Sequence, residues 1–347
     1  VYFNNGQQSN NKLIYKVMKN FFIGIDVSKM TLDVALHSKK GNEKQNHLVI
    51  ENNPNGFKKM ISWIKEKKKM PQEVLICMEH TGVYANALVQ FLEKKDITYC
   101  RVSALEIKKS LGITRGKADK VDAFRIAQYA YEKRESLTPS KLPPQNIIVL
   151  KELLTERKGY VCSITQYKQR KDEIAVHQGK KSMKRKNQTI DFLEKKVKEI
   201  EDDILKIIQE DPELMKNFAF VISVIGIGFI NAVSFLAYTN NFRDFTNPRA
   251  YACYISVAPF PYSSGTSIRK RTSVSKIGRL ELKGILTMAA RSAIIHDPEL
   301  RRYFKRKFNG KKGPESNYGQ VLNAVKFKLI CRVFAVVRKQ EKYVVKD

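Results

Sequence analysis

The chain has 347 residues, long enough for two domains that each bury a core, and its 43% hydrophobic content excludes a wholly disordered chain. Lys and Arg number 64 against 34 Asp and Glu, a formal net charge of +30, so the expected neighbour is a polyanion: nucleic acid first, an anionic membrane second. The five cysteines, Cys77, Cys100, Cys162, Cys253 and Cys331, include no C-x-x-C pair, which argues against a zinc site or disulfide framework and suits a reducing cytoplasm.

Residues 1–18 are polar up to Met18 and are expected to be a disordered extension. From 19 to 145 strand and helix signals alternate. FFIGIDV and TLDVALH are short apolar runs around SKM, the pattern of a hairpin, and NHLVIEN is a candidate third strand. In NPNGFKKMISWIKEKKK, residues Phe57, Met60, Ile61 and Ile64 recur on one face, which predicts an amphipathic helix. EVLICME then reads as a buried strand, YANALVQFLEKK as a helix and ITYCRV as a strand, and a further helix begins near Asp119. This order of elements fits a mixed α/β sheet with helices on its faces, the ribonuclease H-like arrangement. LTPSKLPPQN breaks the pattern and marks a boundary.

Over 146–211 two long helices are expected. Ile190, Leu193, Val197, Ile200, Ile204 and Ile207 have the alternating three-and-four spacing of a coiled-coil seam, serving either a hairpin or an oligomerising arm. The remainder, 212–347, reads as mostly helical. Its stretch FAFVISVIGIGFINAVSFLAY, 218–238, is uncharged and long enough to span a bilayer, but Gly226 and Gly228 interrupt it. Two helices about a G-x-G turn are the better reading. Such a helix-hairpin-helix-like turn offers backbone N–H groups to a phosphate, although a buried corner without a ligand has the same pattern. Further on, PYSSGTSIRKRTSVSK, 261–276, reads as a loop that mixes hydroxyls with Arg269, Lys270, Arg271 and Lys276.

The acidic residues are fewer but better placed. Asp26 closes the first strand, Glu79 closes VLICME, and Asp119 and Asp122 stand at i and i+3 of a helix start. If the two strands are neighbours, four carboxylates can converge. Clustered carboxylates cannot all stay ionised without a cation, and hard oxygen ligands select Mg2+. Two such ions about 4 Å apart would clamp the attacking and leaving oxygens of a phosphodiester. Taken singly each residue has a plainer role: Asp119 as an N-cap, Asp122 facing the helix dipole, Glu79 as a solvated strand end.

FIGIDVSKMTLDVAL, MEHTGVY and RGKADKVDAFRIAQYA resemble the N-terminal domain of DEDD-type transposases of bacterial insertion sequences, relatives of the Piv and MooV invertases. VISVIGIGFINAVSFLA and YSSGTSIRKRTSVSKIGRLELKGILTMAA resemble the C-terminal transposase domain of the same family, and the likeness covers roughly residues 19–345. The resemblance implies a RuvC-like first domain and an enzyme that cuts and rejoins DNA, guided by a structured bridge RNA that pairs with donor and target DNA. It maps the family's four acidic residues onto Asp26, Glu79, Asp119 and Asp122, and its nucleophilic serine onto Ser264, with Ser263 the competitor. The chain departs from the family's Y-x-G-L-x-P pattern, reading YISVAPFPYSSG instead. The expected partners are therefore DNA, a bridge RNA and further copies of the chain as a dimer or tetramer, in the bacterial cytoplasm near the nucleoid, with no membrane. Two other functions fit the same residues: a Holliday-junction-type nuclease that uses metal alone without a covalent intermediate, and a non-catalytic nucleic-acid scaffold.

Overall fold

A computed structural model describes residues 21–37, 46–67, 69–79, 82–110, 119–174, 179–264 and 268–345. The extension expected over 1–18 lies outside them. The chain divides into two compact units, Val1–Leu142 and Pro143–Asp347, with the break inside the proline-containing boundary stretch.

In the first unit β1 (Phe21–Val27), β2 (Thr31–Leu36) and β3 (His47–Glu51) form an antiparallel meander. The SKM turn closes through Ser28, whose N–H and hydroxyl both donate to Thr31 O, at 3.0 and 2.8 Å. Next comes α1 (Pro54–Glu66), capped by Asn53 Oδ1 accepting from Gly56 N at 2.9 Å, with Pro54 at its first position. After this crossover β4 (Val74–Glu79) lies parallel to β1, and α2 (Asn86–Lys94) leads to β5 (Tyr99–Val102), parallel to β4. The strand order is β3-β2-β1-β4-β5. α3 (Ala104–Ser110) and α4 (Asp119–Glu132) complete the unit.

The two-residue period of the strands sorts the core. Ile23, Ile25, Ile76 and Met78 pack with Phe57, Met60 and Ile64 of α1 and with Leu88 and Leu92 of α2. The opposite face sets Phe22, Leu75, Cys77, Cys100 and Val102 against Ile107 of α3 and Ile126, Tyr129 and Ala130 of α4. A sheet covered on both faces needs strands that are apolar throughout, which is why β1 and β4 read as continuous hydrophobic runs.

In the second unit α5 (Gln145–Ile174) and α6 (Lys180–Glu210) run antiparallel as a hairpin. Arg157 Nε meets Glu201 Oε1 at 2.7 Å, and Lys168 Nζ meets Glu194 Oε1 at 2.7 Å. The expected seam is used within this hairpin. Ile190, Ile200 and Ile204 are buried, Leu193 and Val197 are half-buried, and Ile208 rather than Ile207 completes the buried row. Residues 146–211 are not a free-standing segment. Ile147, Leu150, Leu154, Ile200, Ile204 and Ile208 join one core with the helices that follow.

Those helices are α7 (Pro212–Ile222), α8 (Phe229–Tyr238), α9 (Pro248–Tyr254), α10 (Leu280–His296), α11 (Pro298–Lys307) and α12 (Tyr318–Lys339). The apolar stretch 218–238 is thus split between α7 and α8, and among the described residues no helix is long and apolar enough to cross a membrane. Gly226 makes the split, with φ at +93°. A Cβ there would stand 2.6 Å from Ala293 Cβ and 2.8 Å from Ala289 O, so α10 rests directly on the turn.

The serine-rich basic segment, expected as a loop, is a two-stranded hairpin of β6 (Pro259–Ser264) and β7 (Ile268–Val274). The run of charges in IRKRTSV hides the β-branched Ile268, Thr272 and Val274 that favour a strand. Pro259 and Pro261 are tolerated because each strand of a two-stranded sheet is an edge, and the register shifts between Phe260 and Tyr262, around Pro261, which has no N–H to give.

Candidate active site

β1 and β4 pair in parallel up to Ile25 and Met78, and one step further along the same register sets Asp26 beside Glu79 at the strands' carboxyl ends. Strand alternation groups Asp26 with Phe22 and Gly24, and Glu79 with Leu75 and Cys77, on the face covered by α4. Gly24 fixes how closely that helix sits. A Cβ at this position would run into Ala123 O and Ala127 N and lie 2.9 Å from Ile126 C, so the backbone of α4 lies on the backbone of β1. Asp122, the neighbour of Ala123, is thereby brought to the strand that carries Asp26. Its Oδ1 accepts from Arg125 Nη1 at 2.8 Å. Asp26, Glu79 and Asp122 are all partly buried. Asp119 opens α4, one turn before Ala123; its side chain lies outside those described.

Three of the four expected carboxylates therefore belong to one sheet edge and the helix seated on it. Among the described residues no three Asp, Glu, His or Cys side chains are gathered tightly enough to hold a metal ion. Asp122 is turned to Arg125. The donor set itself, hard carboxylate oxygens on rigid elements, suits Mg2+.

Two residues that sequence reasoning missed adjoin this edge. Asp33 is the register partner of Asp26 across the β1–β2 ladder. Like charges directly opposite on a ladder destabilise it. His47 on β3 offsets this with Nε2 2.8 Å from Asp33 Oδ1, the two side chains only 13% and 15% exposed. The His47 ring stands 6.0 Å from that of Phe124 on α4. The available signal was an acidic residue in the middle of the apolar run TLDVAL.

In the second unit Ser264 is the last residue of β6 and pairs with Ile268, while Ser263 pairs with Arg269 and Tyr262 with Lys270. Arg271 follows on β7, and Lys276 is exposed just beyond it. Gly265 and the side chains of residues 262–271 lie outside the description. The base of the hairpin is pinned. Gly278 N donates to Ser256 Oγ at 2.9 Å, and Arg279 N to Tyr254 O at 2.9 Å. A Cβ at Gly278 would lie 2.5 Å from Ser256 Oγ, so the return of the hairpin passes tightly over the end of α9.

Packing against α10 accounts for Gly226 without a ligand. Gly228 differs. It is exposed, it N-caps α8 without a side-chain cap, and a Cβ there would have nothing within 4 Å.

Residues 23–175 match a family model of the IS110 DEDD type described as a transposase, and residues 219–305 match one described as the transposase IS116/IS110/IS902 family. Over 330 residues the chain is 27% identical to the pilin gene-inverting protein of Moraxella bovis, covering 94% of this chain and 98% of that protein. The pilin gene-inverting protein of Moraxella lacunata matches with the same identity and coverage. Every carboxylate, serine, glycine and cation singled out from the sequence falls inside the two matched segments.

Proposed function

From the premise that the chain is an IS110-type transposase, an enzyme of DNA recombination, we propose that it cuts and rejoins DNA strands through the hydroxyl of Ser264, assisted by a divalent-cation site on Asp26, Glu79, Asp119 and Asp122. The supporting observation is the meeting of the β1 and β4 carboxyl ends beneath the start of α4, fixed by Gly24. The strand order β3-β2-β1-β4-β5 with helices on both faces agrees with a ribonuclease H-like, RuvC-like fold for this unit.

The family implies divalent-metal dependence, and Mg2+ held by these carboxylates would polarise a phosphoryl oxygen as a Lewis acid. The chain's own residues do the rest. The Ser264 Oγ–P bond forms as the P–O bond to the departing DNA oxygen breaks, and the proton given up by the Ser264 hydroxyl is balanced by the one the departing oxygen takes up. The product is a phosphoserine ester and a free DNA end. Attack by another DNA hydroxyl reverses the step and needs no added energy, because the ester is conserved. Arg269, Lys270, Arg271 and Lys276 steady the phosphate charge, and the N–H groups at the Gly226–Gly228 turn bind backbone phosphate. A bridge RNA chooses donor and target by base pairing, and the charge of +30 is large enough to serve two polyanions at once. A homo-oligomer, dimer or tetramer, brings the second DNA site. By likeness to the pilin gene-inverting proteins, the same exchange within one DNA molecule would invert the segment between two sites.

Asp26→Ala, Glu79→Ala and Asp122→Ala should each reduce strand cleavage by at least about 100-fold, the loss typical of a positioned acid–base or electrostatic group. Duplex affinity measured in parallel should stay near that of the wild type. Cleavage at wild-type rates in all three variants removes the carboxylate site from the mechanism.

A further inference from the structure

One cation in the second unit is buried where a lysine is rarely found. Lys326 of α12 is only 6% exposed and is flanked on its helix by buried Leu322, Val325, Leu329 and Ile330. Lysines are almost never fully buried unless paired. The charges that act on Lys326 are Lys283 and Arg291 of α10, both of its own sign. Burial first, and these two cations second, push its ammonium down to about 8. Lys283 is half-buried and is likewise pushed down by burial, whereas Arg291 is exposed. The three cations therefore run from the core of the unit to its surface. Lys283 and Arg291 are eight residues apart, on one face of α10.

One turn before Lys326, Asn323 donates through Nδ2 to Val257 O at 2.7 Å, while its Oδ1 is buried without a partner. Val257 lies just ahead of β6, so this cluster stands near the base of the serine hairpin. Ser264 is at the far end of that strand, roughly 20 Å of extended chain away. The cluster is thus separate from the cations of β7.

We propose that Lys326, Lys283 and Arg291 form a receptor for one or two consecutive phosphates of a nucleic-acid backbone. The chemistry supports that ligand. An exposed guanidinium holds phosphate oxygens in a bidentate fork, and a lysine behind it supplies a point charge. A phosphodiester brings a negative charge to a lysine whose named electrostatic neighbours, Lys283 and Arg291, share its own sign. The inference rests on the nucleic-acid reading above and adds to it a defined contact surface.

The test uses the full chain, a random-sequence DNA duplex and an RNA hairpin. Lys326→Met keeps the apolar stem and removes the charge. Without nucleic acid it should melt above the wild type, because an unpaired buried cation has gone. Its affinity for the better-bound nucleic acid should fall about ten-fold, and the slope of log affinity against log salt should shrink by about one phosphate contact, ~0.9 for duplex DNA. Lys283→Ala/Arg291→Ala should lose affinity in the same way, and it keeps the proposal testable if Lys326→Met does not fold. Unchanged affinity and slope in both variants overturn the proposal, as does a lower melting temperature for Lys326→Met with full affinity, the mark of a packing role. If the wild type binds neither nucleic acid, the nucleic-acid reading itself fails, an outcome distinct from equal binding by wild type and variants.

Discussion

A methyl group added at Gly24 would collide with the backbone of α4, so this residue decides where the acidic helix start can sit. Overpacking of this kind costs about 1–3 kcal/mol or more. Gly24→Ala should lower the melting temperature and reduce DNA cleavage together. A variant that keeps wild-type stability and cleavage would show that α4 does not need this close approach. A second residue-level consequence concerns pH. In the folded chain the Lys326 ammonium lies at about 8 against an ordinary value of 10.5, so between these values the unfolded chain binds more protons than the folded one. Stability from this group therefore rises with pH from about 8 to about 10.5 and is smallest below 8. Lys283 is shifted in the same direction. Chemical denaturation across that window should show a steeper gain for the wild type than for Lys326→Met; equal slopes contradict the assignment. The strand-end and helix-start positions of the proposed site residues Asp26, Glu79 and Asp122 were legible because each is an acid that closes an apolar run or opens a helix. Gly24, Asp33 and Lys326 were not. The first two sit inside strand patterns whose partners are distant in sequence, and a lysine in VKFKLICRV reads as one more surface charge until the helix facing it is known.

At the scale of elements, the sheet of the first unit could be read almost strand by strand, since a sheet buried on both faces leaves strong apolar runs. The serine hairpin could not, because its strands carry the charge expected of a loop. The seam on α6 shows a different limit. Its spacing identified a packed helix face but not the packing partner, which within the chain is α5. Ile200→Asp should therefore unfold the foot of the hairpin rather than release a subunit, since Ile200 is 5% exposed in the common core. On the same helix Phe192 is 57% exposed and is the residue to test for a part in the proposed homo-oligomer. Phe192→Glu should leave melting nearly unchanged and shift sedimentation toward smaller species. An unchanged sedimentation profile takes this helix face out of the assembly.

At the scale of the molecule, the chain divides into two units, and the proposed carboxylate site and the proposed serine fall one in each. Each unit carries a matched transposase segment, and the charge of +30 suits an enzyme that acts on DNA. Composition and motif order carried this division from the start, because a boundary rich in proline separates alternating strand and helix signals from helical ones. What the sequence left open was the choice between neighbouring serines and between covalent and metal-only cleavage. One experiment addresses both: trap the reaction on a nicked DNA substrate that cannot religate, digest the protein, and locate the nucleotide-bearing peptide by mass spectrometry. The account predicts a nucleotide on Ser264 in the wild type, and none in Ser264→Ala or Glu79→Ala. A nucleotide on Ser263, or cut DNA with no protein adduct, would contradict it.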